Sequence, residues 1–269
     1  MTLAGILRGL LKMRARLPRM LFSALAVALV IAGPVRAQTP PRARIALAGD
    51  STVKDEGGWG FGFKKKLAAD VVCENFAQGG QSSKSFRDTG QWKKVLASKA
   101  DYVLIQFGHN DMPGKGPKRE TDPATTYPEN MARFVAEARD AGAKPILVTS
   151  LARRVFEPNG KLRGELAPYV EAVRKVAAEQ HVPLIDLFAR SVELVEKLGP
   201  KGVEPFEPKI VPKGALAPGA TKADIDNPAA SATPRRDGTH LTERGSIEFG
   251  AIVAEEMQKV LPETRPLFR

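Results

Sequence analysis

From Arg44 onward the chain alternates short apolar runs with longer stretches of helical pattern, and this alternation restricts the fold more than any other feature of the sequence. Strands that alternate with helices are the sequence form of a parallel sheet covered by helices on both faces. The apolar runs predict strands at Arg44 to Ala48, Val71 to Ala77, Tyr102 to Phe107, Pro145 to Thr149 and Pro183 to Leu187. Helical stretches are expected near Gly60 to Ala69, Tyr127 to Ala141 and Leu166 to Gln180, then at Phe188 to Leu198 and from Glu243 to Val260. The Tyr127 helix places Met131, Phe134, Val135 and Ala138 on one stripe and stops at Gly142, a residue suited to a helix C-cap. The expected architecture is a three-layer α/β/α domain built on five parallel strands.

The residues before Arg44 follow a different logic. Arg8, Lys12, Arg14, Arg16 and Arg19 come without an acid, Leu21 to Gly33 is apolar, and Val35-Arg36-Ala37 offers small residues where a signal peptidase reads. That is the layout of a secretory signal peptide over residues 1–37, of a bacterial type, and implies export to the periplasm or beyond with no stable membrane insertion after cleavage. An uncleaved anchor helix is the alternative, but the apolar run is about thirteen residues against the roughly twenty that span a bilayer. Translation from Met13 or Met20 is a further option that the sequence leaves open.

Residues 38–269 then read as a single domain. Losing the six basic residues of the first 37 lowers the formal net charge from +11 to +5. Acids and bases are interspersed and no basic run is interleaved with aromatics, so no nucleic-acid partner is expected, while a mild attraction to acidic polymers is. Cys73 is the only cysteine, which rules out a disulfide within the chain and suits a small buried strand residue.

Two segments break the rhythm. Met112 to Thr126 is rich in Gly, Pro and Lys, and Gly199 to Arg236 carries seven prolines with little apolar periodicity. The second is too long for an ordinary connection in a compact domain. It reads either as a surface insertion or as a lid over substrate, since it leads directly into the turn that follows it.

Four polar stretches fall where strands end, at the carboxyl edge at which open parallel sheets bind ligands. They are Gly49 to Thr52 ("GDST"), Gly79 to Phe86 ("GGQSSKSF"), Gly108 to Asp111 ("GHND") and Asp237 to His240 ("DGTH"). Ester cleavage by a serine needs a base, a group that orients the base, and donors for the oxyanion. Ser51 can supply the hydroxyl. The chain has three histidines. His181 falls at the opposite edge of the sheet, at the end of a helix, and His109 follows its strand in line and suits packing. His240 lies three residues after Asp237, close enough for the carboxylate to fix its ring and tautomer. Gly80 can bring a bare backbone N–H close, Asn110 offers a side-chain amide, and the Ser51 N–H makes a third donor. Each residue alone has an ordinary role in a turn or cap. The four stretches together, in order and at strand ends, point to catalysis.

These blocks resemble those of the SGNH hydrolase superfamily, the GDSL-type esterases, and the likeness runs from about Ile45 to the last helix. Within it, "GDSTV" with the following Gly58-Trp59-Gly60, the second block "GQSSKSF" and the third block "FGHND" are similar to rhamnogalacturonan acetylesterases. The resemblance implies a flavodoxin-like five-stranded fold and removal of acetyl groups from a pectin sugar, with no metal or other cofactor. It implies Ser51 as nucleophile, His240 as general base then acid, Asp237 as its orienting carboxylate, and Gly80 and Asn110 as oxyanion donors. An acetylated polysaccharide or oligosaccharide is the expected substrate. The segment before Asp237 and the Lys-rich loop after Asp111 match no part of that pattern. Absence of Gly-x-Ser-x-Gly around Ser51 argues against an α/β-hydrolase elbow.

Other residues carry weaker expectations. Trp59 and Trp92 suit core or rim anchors better than sugar platforms. Lys115, Lys118 and Arg119 suit a solvated loop, with galacturonate carboxylates as the alternative partner. His109 reads as structural, and Asp50 and Asp111 as loop-shaping acceptors. Two other functions are compatible with the same fold, namely a lipase or thioesterase on longer acyl chains and a noncatalytic polysaccharide-binding protein. The full residue set disfavours the latter, since binding alone needs no serine with a base.

Overall fold

The computed structural model describes residues 40–210 and 235–269. Strands β1 (Ala43–Gly49), β2 (Val71–Asn75), β3 (Tyr102–Gln106), β4 (Lys144–Val148) and β5 (Leu184–Ile185) form one parallel sheet in the order β2-β1-β3-β4-β5. The interior strand β1 is buried along nearly its whole length, as expected of a strand covered on both faces. Its alternate residues feed two separate cores. Ile45 and Leu47 join Leu104, Ile146, Val148, Phe63, Phe249 and Met257 on one face, while Ala46 and Ala48 join Val103, Ile105, Leu147, Phe134 and Val173 on the other.

Helices α1 (Gly60–Lys64), α6 (Leu187–Gly202) and α7 (Glu243–Val260) cover the first face. Helices α2 (Ser83–Asp88), α3 (Gln91–Ala97), α4 (Thr126–Asp140) and α5 (Ala167–Glu179) cover the second. The expected three-layer, five-stranded architecture is therefore observed. The α1–α7 contact depends on glycine. A Cβ on Gly62 would collide with the Ser246 carbonyl, and one on Gly250 with the backbone of Gly62 and Phe63. This close approach holds the start of α7 against the loop that follows β1.

Several boundaries differ from expectation. Strand β2 ends at Asn75, where the side chain donates to the Val53 carbonyl at 2.9 Å and accepts from the Ala77 N–H at 3.0 Å, while backbone bonds to β1 run on from the Phe76 and Gln78 N–H groups to the Leu47 and Gly49 carbonyls. Strand β5 is cut to two residues because Asp186 caps α6 through the Ala189 N–H. Helix α1 ends at Lys64, shorter than the expected stretch to Ala69. Helices α2 and α3 had no counterpart in the sequence reading. At six and seven residues they are too short to display a period, and α2 is announced only by a capping box between Ser82 and Ser85.

The Pro-rich segment is ordered at both ends. Helix α6 kinks at Gly199, where φ is +66°, continues to Gly202, and is followed by a 3-10 turn at Glu204–Phe206. Strands β6 (Lys209–Ile210) and β7 (Arg235–Arg236) then pair antiparallel. The Asp237 N–H donates to the Pro208 carbonyl at 2.9 Å, so this short ladder delivers the chain to the fourth polar block. The remainder of the expected insertion, residues 211–234, and the expected signal peptide lie outside the described residues.

Candidate active site

Strand β1 ends at Gly49, and the next three residues form a turn fixed by a buried carboxylate. Asp50 accepts from the Thr52 N–H at 2.8 Å and from the Thr52 hydroxyl at 2.7 Å. Gln106, at the end of the neighbouring strand, donates to Thr52 Oγ1 at 2.6 Å and accepts from Trp59 Nε1 at 2.9 Å. Trp59, Gln106, Thr52 and Asp50 are all fully buried. This chain of hydrogen bonds lies beneath Ser51 and leaves its own hydroxyl free to face outward. The second Asp50 oxygen sits 3.6 Å from Nδ1 of His109, itself only 3% exposed, which is ion-pair rather than hydrogen-bond distance. Burial alone would raise the Asp50 carboxyl, but His109 and the Thr52 donors hold it below its ordinary value.

The turn before α7 brings a histidine to that hydroxyl. Asp237 Oδ1 accepts from the backbone N–H groups of Thr239 at 2.8 Å and His240 at 3.1 Å, which curls the chain and aims Oδ2 at the imidazole. Asp237 Oδ2 lies 2.7 Å from His240 Nδ1, and His240 Nε2 lies 2.9 Å from Ser51 Oγ. The tautomer with its proton on Nδ1 satisfies both contacts, leaving Nε2 to accept from the serine. Burial raises the Asp237 carboxyl, and the hydrogen bonds from His240 and Thr239 outweigh it to place the group below its ordinary value. Gly57, with φ at +83°, passes against the imidazole, and its carbonyl accepts from the Leu241 N–H at 2.9 Å.

The turn is anchored from below by Arg154, which is 4% exposed. Its Nη2 donates to the His240 carbonyl at 2.6 Å and reaches the Asp237 carbonyl at 3.5 Å, while its backbone N–H donates to the Gly238 carbonyl at 2.8 Å. Its Nε stands 3.5 Å from Glu207, a residue of the segment that leads into β6. Burial lowers the guanidinium to about 10 against the fields of Glu207 and Asp237, so it stays charged at neutral pH.

Two loops flank Ser51 on the other side. A Cβ on Gly79 would sit 3.8 Å from the Ser51 Cβ, so the loop after β2 runs directly beside the serine, and Gly80 takes a φ of +78° that favours glycine. The Asn110 amide donates one hydrogen to the Gln81 carbonyl at 3.1 Å, which orients the group, and its second hydrogen remains for a ligand. Asp111 ties the two loops together. It accepts from the Ser83 N–H and hydroxyl, from the Thr121 hydroxyl at 3.0 Å and from the Gly108 N–H at 3.0 Å. Burial pushes its carboxyl up to about 6 in spite of these donors.

The structure thus brings Ser51, His240 and Asp237 into one hydrogen-bonded line and sets the Gly80 and Asn110 loops beside it. Trp59 and Trp92 are core residues, the second donating to Glu137 at 2.6 Å. His109 is buried and structural, while His181 is exposed, with φ at +49°, beyond the end of α5. Lys118 is exposed; Lys115 and Arg119 are half-buried, with Arg119 beside Gly80. Sequence reasoning passed over Arg154 and Gln106. An arginine in a loop and a glutamine closing a strand carry no pattern that separates a buried anchor from a solvated side chain.

Comparison with known proteins places these contacts in context. Residues 47–246 match the GDSL-like Lipase/Acylhydrolase family. The chain is 33% identical over 233 residues to rhamnogalacturonan acetylesterase RhgT of Bacillus subtilis (strain 168), covering 81% of this chain and 90% of that one. It is 32% identical over 234 residues to the probable rhamnogalacturonan acetylesterase YesY of the same strain, covering 84% and 97%. In structure it resembles protein YXIM of Bacillus subtilis, with a TM-score of 0.62 at 23% identity over 85% of this chain. That match spans 59% of the other protein's length and speaks to the fold alone.

Proposed function

Because the chain belongs to the GDSL-like lipase/acylhydrolase family and is an ester hydrolase, we propose that it is an exported serine esterase that removes O-acetyl groups from a pectin- or rhamnogalacturonan-like polysaccharide. The observation that carries the mechanism is the continuous line Ser51 Oγ, His240 Nε2, His240 Nδ1, Asp237 Oδ2, at 2.9 and 2.7 Å. Ser51 Oγ attacks the acetyl carbonyl while His240 Nε2 takes its proton, and the Asp237 carboxylate stabilises the imidazolium. The oxyanion is received by the N–H groups of Ser51 and Gly80 and by the Asn110 amide. Collapse of the tetrahedral intermediate returns the proton from His240 to the departing sugar oxygen and leaves an acetyl-serine. Water, deprotonated by His240, then attacks the acyl carbon, and acetate leaves with Ser51 restored. The acetyl and polysaccharide parts of this reading draw on the names of the relatives, and export draws on the basic-then-apolar leader.

The test is intact-mass analysis after incubation with a fluorophosphonate, with Ser51→Ala in parallel, followed by an ester series of rising acyl length. A single adduct mapped to Ser51 and absent from the variant, with peak turnover on acetate, is the expected result. A folded wild-type protein that takes no adduct sinks the serine mechanism. Peak turnover at eight carbons or more replaces acetyl removal with lipase or thioesterase action.

A further inference from the structure

Asp50 and His109 each stand one residue before a group that the proposed reaction uses. Asp50 precedes Ser51, whose hydroxyl attacks and whose N–H is one oxyanion donor, and His109 precedes Asn110, whose amide is another. The two residues come off neighbouring parallel strands, since Gly49 of β1 is in register with Gln106 of β3. Their side chains meet beneath the site, both almost wholly buried, with Asp50 Oδ2 3.6 Å from His109 Nδ1.

The frames that carry them are tight. On one side, Asp50 Oδ1 is taken by the Thr52 N–H and hydroxyl at 2.8 and 2.7 Å. On the other, the Phe107 carbonyl accepts from Tyr127 Oη at 3.0 Å and from Ser150 Oγ at 2.8 Å. Gly108 then turns at a φ of +134°, where a Cβ would collide with Ser150 Oγ, and the Asp111 N–H closes the turn onto the Gly108 carbonyl at 3.1 Å. Between these frames the contact itself is loose. Among the described residues no protein group comes within hydrogen-bond distance of Asp50 Oδ2 or of either His109 ring nitrogen. Burial opposes charge on Asp50, yet His109 and the Thr52 donors hold its carboxyl below its ordinary value, so it faces the imidazole as a carboxylate. A charge-assisted hydrogen bond is thus left unmade in a place where polar groups are ordinarily satisfied.

We propose that Asp50 and His109 are positioning residues whose contact tightens as the oxyanion forms and carries the Asn110 amide onto it; this rests on the reading of Ser51 as the esterase nucleophile. Shortening from 3.6 Å to an ordinary length of about 2.9 Å draws the nucleophile turn and the Asn110 loop together by less than an ångström. Shifts of that size matter, since an error of about 1 Å in a reacting group costs on the order of a hundredfold in rate. A contact made in the transition state and absent from the empty site lowers the barrier and leaves ground-state binding alone. Catalytic hydrogen bonds are commonly long before substrate arrives, and the Asp50–His109 separation fits a contact completed during the reaction.

The experiment uses the whole protein with His109→Leu, His109→Gln, Asp50→Asn and the double variant Asp50→Asn/His109→Leu. Each is first titrated to completion with a fluorophosphonate, so that kcat is expressed per labelled serine and misfolded molecules drop out. On a soluble acetate ester, His109→Leu should lower kcat by roughly ten- to a hundredfold with KM within about twofold of wild type. His109→Gln keeps an N–H that can reach toward Asp50 and should retain severalfold more activity. The double variant should be no slower than the slower single, because the two side chains act as one unit. Phenylboronic acid gives the decisive readout, since its tetrahedral adduct on the serine puts an oxygen at the oxyanion position. Its Kd should rise by the same factor as kcat/KM falls. A pair that only packs leaves kcat per labelled serine and the boronate Kd near wild-type values, and that result overturns the proposal. Losses that multiply in the double variant overturn it as well, as does a rise in KM while kcat holds. If His109→Leu yields no folded protein, His109→Gln and Asp50→Asn carry the same comparison. A wild-type serine that takes no label removes the esterase reading together with this one, whereas a labelled serine with unchanged variants removes the positioning contact and spares that reading.

Discussion

Replacement of Arg154 by methionine should damage both the fold and the reaction, for reasons that can be sized. The side chain is 4% exposed, donates to the His240 carbonyl at 2.6 Å, and faces Glu207 at 3.5 Å. A charge-assisted hydrogen bond contributes about 1.5–3 kcal/mol, and a buried carboxylate stripped of its partner costs about 3–5 kcal/mol. These overlap, since protonation of Glu207 limits the second, so about 3 kcal/mol is the expected loss. In a domain of this size that lowers the melting temperature by roughly 6–12 °C. Urea titration of the wild type, Arg154→Met, Glu207→Gln and the double variant measures it. The double variant should lose less than the sum of the singles by about 1–2 kcal/mol, because the second change relieves the charge orphaned by the first. Because the same guanidinium holds the Asp237–His240 turn, Arg154→Met assayed well below its melting point should lower kcat by at least about tenfold with KM little changed. Additive single losses, or a variant within about 0.5 kcal/mol of wild type, would falsify the account of Arg154 as the anchor of the turn.

Three further outcomes follow from the geometry. Asn110→Ala should lower kcat by about a hundredfold to a thousandfold, as loss of one oxyanion donor does, and a steady-state assay on an acetate ester that shows less than a tenfold drop removes Asn110 from that role. Asp237→Asn should cost about ten-thousandfold in kcat by favouring the wrong imidazole tautomer while leaving the melting curve close to wild type. Asp111, with its carboxyl at about 6 in the folded chain against an ordinary value of 3.8, binds its proton more tightly folded than unfolded. Stability from this group is therefore present below about pH 4 and is lost as pH rises to about 6, by on the order of 2–3 kcal/mol. The stability gap between wild type and Asp111→Asn should narrow from pH 4 to pH 6.5 in urea titrations, and a constant gap would place the carboxyl at its ordinary value.

The layers of the fold were legible because burial on both sides leaves a strong mark. Strands such as Tyr102–Gln106 and Lys144–Val148 are continuous apolar runs, and α4 carries its stripe of Met131, Phe134, Val135 and Ala138. The helices at Ser83–Asp88 and Gln91–Ala97 left no such mark. Each is under two turns and buries only a few residues, so tertiary packing on Phe107 and Phe134 holds them rather than any period of their own.

The site shows the same division between local and distant causes. Ser51, Asp237 and His240 could be found because a turn at a strand end and an Asp three residues before a His are local patterns. What holds them is not local. The Trp59 indole is linked to the Thr52 hydroxyl through Gln106, on the neighbouring strand, and the His240 turn is gripped by Arg154 from the far side of the sequence, which in turn faces Glu207. Arg119 falls in a loop whose composition predicts solvent, and only the fold-back onto the Gly80 carbonyl brings it beside the site. A chain of this kind therefore writes its reacting atoms in short motifs, and writes its positioning and selectivity in single residues whose meaning depends on which distant segment they meet. The motif residues are accordingly the ones whose loss should cost the most turnover, while Arg154 is one whose loss should lower the rate and leave the chemistry itself in place.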